Sequence, residues 1–311
     1  MQKQMSRLIT ILLICLLTGS ILAQESTEEA LGTSLPLEPL PVATLEQDGL
    51  KLEFFYQSVE QGDFGVIRLR GDNIQSAYAS LLNSPYAFHY LAEDQAWYGL
   101  IPANMDLNAR DYQLPIVVTL TDQTTHQFDT ILSVSSGGFI RQDFTLNSDK
   151  VDLIDPEVER HEFARLDAIF TTHSDERYWQ DGWVSPVNSE LTSPFGNFRT
   201  LNEQVQTRHT GWDLKAQAGT PVMAMGSGVV AFARPLDIRG NYVIINHGWG
   251  VFSGYAHLSQ VHVTQGQTVE KGQIIGMSGN SGRSSGPHLH WDVAVNGEWM
   301  DAVDLFSKWL P

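Results

Sequence analysis

His288-Leu-His290-Trp-Asp-Val-Ala-Val295 is a strand-like run that carries two imidazoles at its start. Side chains two apart on a β-strand point to the same face. His288 and His290 can therefore reach one small volume, while Leu289 turns into the opposite layer. Outward from this run, everything from Trp183 onward reads as short strands separated by abundant glycine. The candidates are Val222–Met225, Gly228–Ala233, Tyr242–Asn246, Val251–His257, Ile274–Met277 and His288–Val295. No helical pattern interrupts them before the extreme C-terminus, Val303–Leu310. The pattern predicts a β-sheet or flattened barrel with long glycine-rich loops.

Six of the ten histidines fall between residues 209 and 290, where an even spread over 311 residues would put fewer than three. Two further elements accompany the His288 run: His209-Thr-Gly-Trp-Asp213 and Tyr255-Ala-His257. Tyr255 and His257 are expected to share a strand face by the same period of two. His209 and Asp213 lie in a glycine-containing turn, where four-residue spacing can wrap both side chains around one ion. Histidine and aspartate are ordinary zinc ligands, and three protein ligands with an open position define a catalytic zinc site. A lone His-x-His is more often two exposed histidines. Three such elements in one small β region tip the balance to a metal site. His89, His126, His161, His173 and His262 read as isolated surface or structural residues, His247 as structural, and Trp212 as a packing residue.

The upstream chain differs. Residues 43–150 contain strand-like runs at Leu52–Tyr56, Gly65–Leu69, Ala96–Ile101, Leu114–Leu120 and Thr130–Val134, which suggest an antiparallel, Ig-like β-sandwich. Residues 151–182 read as a helical connector. Asp155-Pro-Glu-Val-Glu-Arg160 supplies a cap, a proline at the first position and acids in the first turn, and Val158, Phe163, Leu166, Ile169 and Phe170 follow at helical spacing. The expected order is thus a signal peptide (1–23), an acidic proline-rich tether (24–42), the sandwich, the connector and a second β domain (183–311). The chain is expected to be mainly β.

Lys3 and Arg7 precede an apolar run from Leu8 to Leu17, with Ala23 at the expected cut, which is the layout of a secretory signal. The run is short for a membrane span, so no stable membrane insertion is expected after cleavage. The single cysteine, Cys15, lies within this segment without the small residues that lipid attachment would need before it. Beyond it there is no disulfide and no cysteine-based metal site. Removing Lys3 and Arg7 leaves 17 bases against 36 acids, a net charge of −19. That surface, with no basic cluster, excludes nucleic-acid binding.

Taken in order, His-x-x-x-Asp, Tyr-x-His and Gly-Pro-His-Leu-His resemble the M23 (lysostaphin/LytM-type) family of zinc metallopeptidases, which cleave peptidoglycan peptides. Ser193-Pro-Phe-Gly196, Ala218-Gly-Thr-Pro-Val222, Gly226-Ser-Gly-Val-Val230, Asn246-His-Gly248, Val269–Gly276 and Ser281–Pro287 carry the resemblance over roughly residues 185–305. It implies one Zn2+ per chain, held by His209, Asp213 and His290 with water in the fourth position. It also implies two catalytic histidines outside the ligand set. His288 would be the general base, and His257 would stabilise the oxyanion or donate to the leaving amine. Tyr255 is a candidate substrate contact. The implied substrate is the peptide stems or cross-bridges of peptidoglycan, met in the periplasm or outside the cell at the wall. No His-Glu-x-x-His helix is present, so a Glu-based mechanism is not expected. The competing reading is a non-catalytic or latent LytM-type module that binds cell wall or activates another hydrolase. Retention of all five positions favours the enzyme. A latent form would need a further ligand from upstream, with Asn188, Asn197 or a residue of the first domain as candidates, and a regulatory partner would be sought at the N-terminal domain.

Overall fold

The computed structural model describes residues 36–145, 148–180, 182–202 and 205–311. The expected signal peptide and most of the tether lie outside the described residues. Strict alternation builds the N-terminal β region. In the strand Asp111–Leu120, Tyr112, Leu114, Ile116 and Val118 are buried and the residues between them are more exposed. Nine strands form one hydrogen-bonded path, in the order Ala43–Gln47, Leu50–Phe54, Asp63–Arg70, Ala96–Ala103, Ser84–Leu91, Ile74–Leu81, Asp111–Leu120, Thr125–Ser135 and Val59–Glu60. The last pair is parallel and the others are antiparallel. The path folds over, so that Leu52, Ile67 and Ile101 share a core with Leu114, Ile116 and Leu132. An Ig-like sandwich would divide into two separately bonded sheets. Here Ser84–Leu91 bonds to Ile74–Leu81 on one side and to Ala96–Ala103 on the other, and so joins them.

The helix Pro156–Phe170 starts where the sequence predicts. The Asp155 side chain accepts from Glu157 N at 2.9 Å, and Pro156 occupies the first turn. Leu166 and Phe170 are buried as expected, and Phe170 meets the rings of Phe252 and Trp299 edge-on. The same face also buries two carboxylates, Glu159 and Glu162, which apolar periodicity does not anticipate.

The C-terminal region centres on a curled sheet ordered Leu191–Ser193, Gly211–Leu214, Leu289–Val295, Val251–Leu258, Gly240–Gly248, Gly228–Leu236 and Thr268–Val269, with Glu298–Met300 added beside Leu289–Val295. Two small sheets flank it. Pro221–Met223, Ile274–Met277 and Gln260–Val261 form one; Arg141–Phe144, Phe198–Leu201 and Val205–Arg208 form the other. The second brings a segment from before the helix alongside the strands that lead to His209. A short helix, Ala302–Ser307, closes the chain.

The curled sheet buries both faces against different partners. Leu289, Trp291, Val293 and Val295 point into a core that also contains Phe64, Tyr98 and Leu100 of the N-terminal region and Trp249 from the turn between Gly240–Gly248 and Val251–Leu258. Tyr98 and Trp249 stack with ring centroids 6.2 Å apart. On the opposite face, Tyr242, Ile244, Phe252, Ala256 and Ala294 lie under Leu166 and Phe170 of the connector helix. His290 and Asp292 belong to that second face.

Candidate metal centre

The strand Leu289–Val295 is the spine of the site. Its odd positions fill the core, so alternation turns His290 and Asp292 to the helix side. Gly211–Leu214 pairs antiparallel along one edge, and its register sets Asp213 directly opposite His290. Gly211 permits this approach, because a Cβ there would stand 2.3 Å from the carbonyl oxygen of Trp291. His209 lies between Val205–Arg208 and Gly211–Leu214, anchored by its backbone N–H on the Asn197 carbonyl at 2.9 Å.

Three donor atoms converge there. His209 Nε2 is 3.0 Å from Asp213 Oδ1 and 3.0 Å from His290 Nδ1, and His290 Nδ1 is 2.9 Å from Asp213 Oδ1. Among the described residues these three form a group able to hold a metal ion. The hydrogen bonds behind them decide which nitrogens are free. His209 Nδ1 donates to the Pro194 carbonyl at 2.6 Å, and His290 Nε2 donates to Asp292 Oδ1 at 2.8 Å. Two nitrogen lone pairs and a carboxylate oxygen therefore face one another about one hydrogen-bond length apart. Such an arrangement is repulsive without a cation between them, and its spacing is near the ~3.3 Å edge of a tetrahedral zinc site. The donor set fits a divalent metal of zinc's preferences.

Burial opposes a charge on His290, but Asp292 and Asp213 outweigh it and raise its pKa above the ordinary histidine value, so the centre favours positive charge among its donors. Burial lowers His209 to about 4, so its ring is neutral at neutral pH. Burial opposes ionisation of Asp213, and the Arg199 guanidinium is chief among the charged neighbours that hold the carboxyl well below its usual range. Arg199 Nη2 donates to Asp213 Oδ2 at 2.6 Å, which leaves Oδ1 for the centre.

Two more imidazoles border the same cleft. His288 Nδ1 donates to the Gly286 carbonyl at 2.8 Å, and its Nε2 stands 3.5 Å from Asp213 Oδ1. His257 Nδ1 donates to the Ser281 carbonyl at 2.7 Å, and the two rings lie 4.8 Å apart. In each, the backbone carbonyl fixes the proton on Nδ1 and bares Nε2. Burial first, and then His288 and His290, hold His257 well below the ordinary histidine range.

His257 reaches this face through a break in the alternation. Tyr255 pairs with Val243 and Leu258 with Asn241, so His257 is an extra residue at a bulge, with φ of 60°. A left-handed backbone at a non-glycine residue costs about 1–2 kcal/mol. The bulge corrects the expectation that Tyr255 and His257 share a face. Tyr255 is fully buried on the core side, its hydroxyl bonded to Met225 N and Ser253 Oγ at 2.8 Å each, and it does not border the cleft. It is not available as a substrate contact. Nor does Asn197 reach the centre, since its side-chain oxygen accepts from Ile140 N at 3.2 Å. Asn188 is exposed. His247 is structural as expected, buried between Ser227 O and Ser253 Oγ.

Sequence reasoning missed the residues behind the centre: Arg199, Asp292, Arg239 and Glu162. Asp292 had a signal, because it follows His290 at the same spacing of two. Arg199 and Glu162 had none, since nothing local connects them to the histidines.

Residues 207–302 match the sequence profile of Peptidase family M23. Over this stretch the chain is similar to the peptidases of that family. All five M23-type positions, His209, Asp213, His257, His288 and His290, lie inside the match, whereas Arg199 and the connector helix lie outside it. The chain is 46% identical over 95 residues to the peptidoglycan DD-endopeptidase ShyA of Vibrio cholerae serotype O1, covering 30% of this chain and 22% of that protein. It is 40% identical over 119 residues to the DD-carboxypeptidase/endopeptidase Mpg of Neisseria meningitidis serogroup B, covering 38% of this chain and 27% of that protein. The chain thus spans about a quarter of the length of these two relatives. A crystal structure from Pseudomonas aeruginosa assigned to peptidase M23 shares the fold more widely. It has a TM-score of 0.57 at 23% identity and covers 82% of this chain and 96% of its own.

Proposed function

We propose that this chain is a zinc-dependent endopeptidase that hydrolyses peptide cross-links of bacterial peptidoglycan. The observation that carries the reading is the convergence of His209 Nε2, Asp213 Oδ1 and His290 Nδ1, with their outer nitrogens already committed to Pro194 and Asp292. In it, these three residues hold one Zn2+. When bound, the metal supplies Lewis-acid activation of water and of the scissile carbonyl. His288 receives the water's proton at Nε2, with Gly286 steadying the resulting imidazolium through Nδ1–H. His257 is neutral at rest with a bare Nε2. The proton that His288 takes from water is the one the departing amine needs. His257, its ring 4.8 Å from that of His288, can accept it at Nε2 and, holding it weakly, release it to the amine. The products are a carboxylate and a free amine.

Names of relatives as DD-endopeptidases favour the D-alanyl cross-link over a glycine bridge as the bond cleaved. They also favour an extracytoplasmic location, since that is where such a substrate lies. No helix among the described residues is long and apolar enough to cross a membrane. In this reading residues 43–150, 151–182 and 183–311 act as an accessory β domain, a connector and the peptidase domain.

The test is cleavage of a defined cross-linked muropeptide dimer by the purified chain, followed as newly released amine. Turnover abolished by chelator, restored by Zn2+ and absent in His290→Ala supports the proposal. A zinc-loaded protein that leaves the dimer intact contradicts it.

A further inference from the structure

The connector helix reaches the ligand His290 through Glu162, whereas its other buried carboxylate, Glu159, borders the cleft and pairs with Arg283. Glu162 Oε2 accepts from Ile238 N at 2.7 Å, and Oε1 accepts from Arg239 N at 3.1 Å and lies 3.4 Å from Arg239 Nη1. Arg239 continues inward, with Nε 3.3 Å from Asp292 Oδ2 and Nη2 donating to Thr210 Oγ1 at 2.7 Å. Thr210 donates in turn to Asp292 Oδ1 at 2.8 Å, and the same oxygen accepts the Nε2–H of His290 at 2.8 Å. Glu162, Arg239 and Asp292 are 3%, 4% and 0% exposed. An unbroken chain of charged groups thus runs from the helix to the outer nitrogen of His290.

Adhesion alone does not call for such a chain. Leu166 and Phe170 already seal the helix to the sheet, and removing a carboxylate from water is costly unless it has partners. Arg239 lies between two carboxylates, so its charge is shared. Without Glu162 it would be drawn wholly onto Asp292 and would compete with His290 for that carboxylate's oxygens. The ring would then lose both orientation and basicity at Nδ1.

We propose that Glu162 is a positioning residue for the metal centre, acting through Arg239 and Asp292 on His290, so that the helix Pro156–Phe170 is a working part of the site. This rests on the reading of His209, Asp213 and His290 as metal ligands.

The test measures Zn2+ affinity of the full chain by competition with a chromophoric chelator, together with thermal stability and the d–d absorption of the Co2+-loaded protein. Glu162→Gln should weaken Zn2+ binding about tenfold and shift the Co2+ bands, and Glu162→Asp should recover part of the affinity. Phe170→Leu loosens the same helix through Phe252 and Trp299 and removes no hydrogen bond of the polar chain, Trp299 itself lying 5.2 Å from the Arg239 guanidinium. It should lower the melting temperature and leave affinity and spectrum unchanged. The inference is overturned if Glu162→Gln keeps wild-type affinity, or if Phe170→Leu weakens binding as much at equal loss of stability. Failure of the wild-type chain to bind one Zn2+ would overturn the metal-site reading, and the inference with it. That result is distinct from binding that every variant retains.

Discussion

Arg199 Nη2 donates to Asp213 Oδ2 at 2.6 Å, and that contact turns the other carboxylate oxygen toward His209 and His290. Arg199 also donates to Ser193 Oγ at 2.7 Å, so the guanidinium is itself held in place. A positioned arginine of this kind keeps the carboxylate ionised and limits it to one metal-facing oxygen.

Arg199→Ala is therefore expected to weaken Zn2+ binding by about 10- to 100-fold. Arg199→Lys should recover part of the affinity, because the bonds to Asp213 and Ser193 both come from the one nitrogen Nη2, whose place an ammonium can take. Chelator competition on the two purified variants measures both.

His288 and His257 lie beside the three donors without joining them. Alanine at either position should lower kcat by about 10²- to 10⁴-fold while one zinc per chain is retained. Metal analysis beside turnover on a cross-linked dimer separates this from the loss of zinc expected for His290→Ala. Loss of metal from His288→Ala would move that residue into the ligand set.

His247 sets a pH dependence of stability unconnected with catalysis. Burial lowers it to about 4, with Nδ1–H on Ser227 O and Nε2 accepting from Ser253 Oγ. The unfolded chain takes a proton there below about pH 6.5, whereas the folded chain does not until about pH 4. Stability must then fall as pH drops through that window, by up to ~3 kcal/mol from this one residue. Denaturant unfolding of the wild type and His247→Gln between pH 7.5 and pH 4.5 should give a shallower slope for the variant. Equal slopes would contradict the assignment.

Gly211→Ala would place a methyl 2.3 Å from the Trp291 carbonyl oxygen, a backbone atom that cannot swing away. The strand pairing that sets Asp213 opposite His290 would have to open. A destabilisation of about 1–3 kcal/mol is expected, accompanied by weaker zinc binding. Thermal melts of the zinc-free and zinc-loaded protein would register both effects, with a smaller stabilisation by zinc in the variant.

The legibility of this molecule in its sequence followed how local each signal was. The strand carrying His290 and the paired faces of His288 and His290 follow from a period of two, and the helix from Asp155, Pro156 and the apolar spacing after them. Asp292 was within reach of the same rule. The bulge at His257 was not, because it depends on register against Asn241 and Val243, and strict alternation put Tyr255 in the cleft beside His257. Glu162 and Arg199 act across long sequence separations. On a helix surface Glu162 looks like any solvated acid until the fold presents Arg239 to it.

The most direct measurement is muropeptide analysis of purified sacculi after incubation with the chain, with and without chelator, beside His290→Ala. Loss of cross-linked dimers with matching gain of monomers, blocked by chelator and absent in the variant, is the predicted result. Dimers left intact by a protein carrying one zinc per chain would contradict the account.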